Sequence, residues 1–208
     1  MGAKVAQRGR PRDTEADERI LRAALEQLME YGYAGFVVDK VAEQAGVART
    51  TLYRRWPTKD HLAVAVIARM QDDVAVLETG DVCADLTDYV EQIALGLNRM
   101  RRAGRQGEED DLSAGVVAEL VAAAARHPDT GALVRAVFAR RNKLVLALIN
   151  RARQRGALHS ATDPGLLFDQ LAGALYYRLL ITGQPIDRSY AERLVTAALN
   201  GALPLRES

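Results

Sequence analysis

The chain has 208 residues, 49% of them apolar and 5% aromatic, with a net charge of +1 and one cysteine. That length holds one domain or two, and a composition rich in Ala, Leu and Arg but poor in aromatics suits helices better than strands. The near-zero charge excludes a uniformly basic protein, and the lone Cys83 excludes an intrachain disulfide. No apolar run approaches the roughly 20 residues that span a bilayer, and the N-terminus lacks a signal peptide's apolar core, so the expected setting is the cytoplasm.

Residues 1–13 read as a basic arm, with Lys4, Arg8, Arg10 and Arg12 and no acid before Asp13. Such an asymmetry suits one nucleic-acid-facing end. Ile20, Leu21, Ala24, Leu25, Leu28 and Met29 recur at helical spacing and predict a helix over 14–32. Thr14 with Asp17 resembles a capping box, and Gly32 is a suitable stop. Tyr33 to Phe36 is expected to turn.

Residues 36–60 read FVVDKVAEQAGVARTTLYRRWPTKD. A short apolar-periodic helix from Val38 to Ala45 meets Gly46-Val47, and a second runs from Ala48 to Arg55. This is a helix-turn-helix whose second helix turns hydrogen-bonding and cationic side chains outward, as a major groove requires. Val41, Ala42, Ala45, Val47 and Leu52 fall on inner faces and are expected to pack against Leu25, Leu28 and Met29.

The outward residues divide by chemistry. Tyr53 and Lys59 suit phosphates, a phenol by donating and an ammonium by neutralising, and Thr51 and Thr58 can donate as well. Arg49, Thr50 and Arg54 or Arg55 are the base-reading candidates. An Arg fork matches guanine O6 and N7, and a Thr methyl meets a thymine methyl. Simple phosphate contact or a solvated face remains open for the Arg pair. Arg8, Arg10 and Arg12 can enter the adjacent minor groove. Trp56 reads as a packing residue.

Pro57 breaks the chain and Thr58 can cap a linking helix from Lys59 to about Leu77. A joint is expected at 78–81. Leu86, Tyr89, Val90, Ile93, Leu97 and Met100 predict a helix over 84–103. Residues 104–111 (GRQGEEDD) read as a loop. A helix over 113–126 ends at His127-Pro128, and a long one follows to about Arg155, stopped by Gly156. Asp163-Pro164 opens a helix over 164–182 that ends at Gly183. A last helix covers about 188–202. With no period-2 run and no internal repeat, the expected class is all-α: a three-helix DNA-binding unit over 14–58 and a larger helical body over 59–208.

Two sets of apolar residues in the body have open roles. Tyr89, Ile93, Met100, Val117, Leu120, Val121, Val137, Phe138, Leu144, Leu148 and Tyr176 can line a cavity or fill a core. Leu167, Leu171, Ala174, Leu175 and Leu179 on one helix, with Tyr190, Leu194, Ala197, Ala198 and Gly201 on the next, can be intrachain core. They can equally be half of a twofold four-helix bundle.

Gly46-Val47-Ala48-Arg49-Thr50-Thr51-Leu52-Tyr53, followed by Trp56-Pro57-Thr58-Lys59, resembles the TetR family of transcriptional regulators. The run Arg-Gly-Arg-Pro-Arg at 8–12 is similar to the family's lead-in to its first helix. Ala172 to Leu180 resembles one class of its regulatory domain. The resemblance implies a homodimer on a palindromic operator, usually a repressor. It also implies release by a small molecule bound in the C-terminal regulatory and dimerisation domain, here expected to be apolar or aromatic. No cofactor or metal is implied. Two positions depart from the family pattern, since Val37 and Ala48 stand where Ser or Thr usually caps the two short helices.

Other readings are a ligand-independent activator or co-regulator with the same DNA surface, and, more distantly, a helical enzyme. His61, His127 and His159 are scattered without metal-ligand spacing, and no HExxH occurs. Cys83 has no adjacent base. Asp72-Asp73 and Glu108 to Asp111 read as solvated charge.

Overall fold

The computed structural model describes residues 14–72, 76–103 and 115–200. Among these are nine α-helices and no strand. They are α1 (Thr14–Gly35), α2 (Val38–Gln44), α3 (Arg49–Arg55), α4 (Lys59–Asp72), α5 (Val82–Arg102), α6 (Gly115–Arg126), α7 (Pro128–Gln154), α8 (Pro164–Tyr177) and α9 (Arg188–Asn200). A π turn, Arg178–Thr182, follows α8.

Helix boundaries follow local chemistry. Gly32 leaves helical geometry at φ 64°, ψ −174°, so the expected stop is a kink and α1 resumes to Gly35. Asp81 caps α5 by accepting from Cys83 N at 2.9 Å and Ala84 N at 3.1 Å. Asp163 caps α8 by accepting from Gly165 N at 2.8 Å and Leu166 N at 3.1 Å, with Pro164 behind it. The linking helix is described as Lys59–Asp72, and residues 76–79 are not helical, so its expected reach to Leu77 is too long. The expected 104–111 loop and the basic arm with Arg8, Arg10 and Arg12 lie outside the described residues.

α2 and α3 have seven residues each, too short to hold a helix without packing. Packing is what they get: Val41 and Leu52 are fully buried with Ile20, Ala24 and Leu28 of α1. Side-chain caps are what they lack, since the Val37 and Ala48 side chains carry no acceptor and only their backbone carbonyls take bonds from the helices. A missing cap costs about 1 kcal/mol. Val37→Thr is therefore expected to raise the melting temperature by about 2–4 °C, the scale for 1 kcal/mol in a chain of this size. Operator affinity should rise with it, because less order is left for DNA to impose. Thermal melts and duplex titrations showing neither change would contradict that reading.

The buried core continues without a break from Ile20 to Leu199. α1 packs on α4, α4 on α7, and α5 on α6 and α9. At the junction the Tyr33 hydroxyl donates to Asp60 Oδ1, and Thr130 Oγ1 donates to Asp60 Oδ2 at 3.4 Å. One carboxylate at the start of α4 thus ties the end of α1 to the start of α7. Burial raises the Tyr33 phenol pKa, and the Asp60 bond and charge raise it further.

Candidate nucleic-acid interface and inner cavity

The turn between α2 and α3 depends on Gly46, which adopts φ 65°, a left-handed conformation that side chains with a Cβ rarely take. Around it Gly46 N bonds to Glu43 O at 3.1 Å and Val47 N to Ala42 O at 3.0 Å, closing α2. The chain then re-enters at α3, seated by the buried Leu52.

Seating Leu52 inward leaves Arg49, Thr50, Tyr53 and Arg54 exposed and Thr51 half-buried. Arg49 Nη1 lies 2.7 Å from Asp39 Oδ2, and the Tyr53 hydroxyl donates to Asp39 Oδ1 at 3.2 Å. Both candidate DNA ligands therefore share one carboxylate in the first turn of α2. Burial raises the Tyr53 pKa and the bond to Asp39 adds to it. Thr58 is exposed, and its Oγ1 accepts from His61 N at 3.3 Å, the expected cap of α4. Lys59 lies half-buried with Nζ 4.4 Å from the Tyr33 ring centroid and donates to Ala34 O at 3.4 Å. Burial lowers its pKa, opposed by Asp60 and Glu119.

Arg55 corrects the sequence reading. It is turned inward onto Asp17 of α1, with both side chains largely covered. α3 is so short that residue 55 lies one helical step from the Leu52 face, so its guanidinium joins the packing side and not the reading side. Asp39 is the residue the sequence reading missed. Its signal was its place in α2, one helix away from the two side chains it holds.

Asp39 sets up a test. Asp39→Asn releases Arg49 and Tyr53 from an anion that repels DNA. Affinity for random duplex is expected to rise several-fold, and the slope of log affinity against log salt to steepen by about 1, the change for one more phosphate neutralised. An unchanged slope in a salt titration would show that the Asp39 pairing does not limit DNA contact.

Comparison with known proteins decides what this surface belongs to. Residues 20–66 match the DNA-binding domain described as bacterial regulatory proteins, tetR family, and residues 76–198 match the tetracyclin repressor-like C-terminal domain. The chain belongs to the TetR family of transcriptional regulators. It is 30% identical to the HTH-type transcriptional regulator YdeS of Bacillus subtilis over 94% of each chain. It is also 30% identical to the HTH-type regulator Mb1581 of Mycobacterium bovis over 89% of this chain and 84% of that one. The crystal structure of the TetR family transcription regulator SCO0332 superposes with a TM-score of 0.73 at 32% identity, covering 91% of this chain and all of that one. The chain is thus a DNA-binding transcriptional regulator.

Behind the DNA-binding unit this TetR-family chain holds a cavity of about 600 Å³ and an adjoining chamber of about 200 Å³. The two share Ile67, Val117, Phe138 and Tyr176 as walls. Of the expected lining residues, Ile93 and Met100 face the larger space, and Leu120, Val121 and Val137 the smaller. Leu144 does not: it is 54% exposed on the outer side of α7. Tyr89 and Leu148 are buried in solid core and line neither space. Polar residues that the sequence reading passed over, among them Gln92, Arg141 and Asn142, join the wall.

The expected dimer faces need the larger correction. Leu167, Leu171, Leu175 and Leu179 are at most 4% exposed within the single chain, so they are its own core. α8 and its π turn are apolar on more than one side, and periodicity cannot say which side is the outer one. Leu166, Tyr177 and Ile181 are the exposed apolar residues, at 60%, 59% and 70%. Ala174, Tyr190, Leu194 and Ala198 are half-buried, Ala197 is exposed, and Gly201 lies outside the described residues.

Proposed function

We propose that this regulator is a repressor that binds a palindromic operator as a homodimer and releases it when a small, largely apolar molecule fills the inner cavity. The observation that carries the proposal is the cavity's wall. It includes Leu25 of α1 together with Ile67 and Met70 of α4, so an occupant touches the elements on which α2 and α3 are mounted. A ligand shifts an equilibrium only by its difference in affinity for two states. Contact with α1 and α4 supplies that difference, because these helices must move if two recognition helices change their separation.

The division of labour follows the chain, with the basic arm over 1–13, reading residues within 14–58, and the dimer surface and all of the cavity wall but Leu25 within 59–208. We assign base contacts to Arg49, Thr50 and Arg54 of α3, and phosphate contacts to Thr51 and Tyr53 of α3, to Thr58 and to Lys59 at the start of α4. The dimer surface is assigned to the exposed row Leu166, Tyr177 and Ile181, continued on α9 by Leu194 and Ala197. An apolar row of this kind needs a partner surface to leave water. Gly173 and Ala174 within the row allow close helix approach.

Linkage gives the test. Apolar and aromatic compounds are screened for a rise in melting temperature, and each active one is titrated against the operator complex. The compound's weakening of operator binding must equal the operator's weakening of compound binding, since coupling is reciprocal. Compounds that occupy the cavity yet leave operator affinity untouched would remove release from the account.

A further inference from the structure

Resting on the reading of this cavity as the effector site, we propose that its ligand is an uncharged aryl amide, or a compound with the same hydrogen-bonding pattern. One aromatic ring sits in the smaller chamber, and a group that both donates and accepts meets Gln92 and Asn142 in the larger space.

The smaller chamber, about 200 Å³, is walled by aliphatic side chains together with Phe138 and Tyr176, and the Tyr176 hydroxyl is the one polar group on those described side chains. An apolar cavity of roughly 150 Å³ stays dry and binds benzene. A slightly larger one holds the same ring and the first atoms of a link. Phe138 and Tyr176 wall both spaces and meet edge-on, with ring centroids 6.3 Å apart. Burial pushes the Tyr176 phenol up to about 12, so it stays protonated at neutral pH. A third ring beside this pair finds edge-to-face contact worth about twofold to tenfold in affinity beyond the area it buries, which a saturated ring of equal size does not.

The larger space, about 600 Å³, has neutral polar groups in its wall. Gln92 of α5 and Asn142 of α7 reach it from two helices, and both are half-buried. Neither forms a hydrogen bond with another described residue. An amide withdrawn from part of its water needs a partner, and each side-chain amide offers both a donor and an acceptor. Two of them facing one space match a ligand group that also carries both.

The charged members of the wall are engaged or stand at its rim. Arg141 is held by the protein itself: its Nε donates to the Tyr89 hydroxyl at 3.1 Å and its Cζ lies 5.0 Å from the Tyr89 ring centroid. Tyr89 is in turn buried and packed against Phe168. Arg99 and Asp169 are exposed and opposite in sign, and they keep their water. An ionised ligand would give up its own water for a wall whose sheltered charge is already in use, and that cost falls away for an uncharged one.

Calorimetric titration of the full chain with matched probes tests this: 3-phenylpropanamide, 3-cyclohexylpropanamide and 3-phenylpropanoic acid. The aryl amide is expected to bind about threefold to tenfold more tightly than the cyclohexyl amide, and about tenfold or more above the acid at neutral pH. Gln92→Leu and Asn142→Leu should each weaken the aryl amide about threefold to tenfold, the worth of one hydrogen bond, while ethylbenzene, which needs only the chamber, keeps its affinity. Equal binding of the two amides overturns the ring seat, and an acid that binds as tightly as its amide overturns the uncharged class. Aryl amide affinity untouched in both leucine variants, or ethylbenzene lost in both, overturns the amide contacts. Val137→Phe, which fills the smaller chamber, should abolish binding of the aryl amide and of ethylbenzene, and retention of either places the ring elsewhere. No binding of any probe at millimolar concentration overturns the ligand class. All of these results spare the effector reading. That reading falls on a different result: the aryl amide binds the native chain and is lost in Val137→Phe, yet at saturation leaves the affinity for an operator selected from random duplexes unchanged.

Discussion

Leu52→Ala is expected to cost about 3 kcal/mol, within the usual range for truncating a buried leucine. Leu52 is fully buried and is the one buried residue of α3. Apart from Arg55, which pairs with Asp17 of α1, the remaining residues of that helix face water or its rim, so no second apolar side chain on α3 takes over the anchor. A 3 kcal/mol loss lowers the melting temperature of a chain this size by about 6–12 °C. The loss should also appear as weakened DNA binding at temperatures where the rest of the chain is folded, because α3 has no side-chain cap and Leu52 is its one buried apolar side chain. Chemical denaturation of the variant beside the native chain reads the energy directly. A cost under about 1 kcal/mol would mean that α3 is seated by something other than its core contact.

Arg49→Ala is expected to do the opposite. Its side chain is 69% exposed and its partner Asp39 is 36% exposed, so the pair contributes little to stability. Melting temperature should be unchanged. Affinity for the specific operator should fall by about 10- to 100-fold, the worth of one bidentate base contact, while affinity for random duplex falls far less. Loss of both affinities in equal measure would reassign Arg49 from base reading to phosphate contact. The pair of variants thus separates two kinds of residue that neighbour one another on one short helix: Leu52 holds the helix in place, and Arg49 reads with it.

That separation was legible in the chain before any coordinates. The inner residues Val41, Ala42 and Leu52 are buried where their spacing placed them, and Gly46 stands at the turn between the two helices. Asp81 was not read as a cap although it is one, and Asp163 was. Local signals of this kind work because a cap or a turn is decided within a few residues.

What failed to show in the sequence depends on contacts between distant segments. Arg55 reads as one more cation beside Arg54, and only the approach of α1 shows that Asp17 claims it. Arg141 lies in the run ARRNK, and nothing within that run shows that Tyr89 of α5 accepts from its guanidinium. α8 was assigned its outer face wrongly for the same reason. Leucines at 167, 171, 175 and 179 make a regular stripe, but Leu166, Tyr177 and Ile181 make another, and periodicity alone ranks them equally. The π turn at Arg178–Thr182 also escaped notice, since its residues have no composition that distinguishes them from an α-helix.

The dimer carries its own test. Ile181→Glu places a charge in the most exposed apolar position of the row, at 70% exposure, where a monomer has no reason to object. Sedimentation is expected to show a folded monomer, and an unchanged dimer would move the interface elsewhere.

The central claim is that α3 enters the major groove and that two copies do so together. Selecting bound duplexes from a random library with the purified full chain tests it most directly. The account predicts an inverted repeat whose half-site centres lie about one or two helical turns apart, roughly 10 or 20 base pairs, as twofold-related recognition helices require. A single asymmetric motif, or no enriched sequence at all, would contradict it.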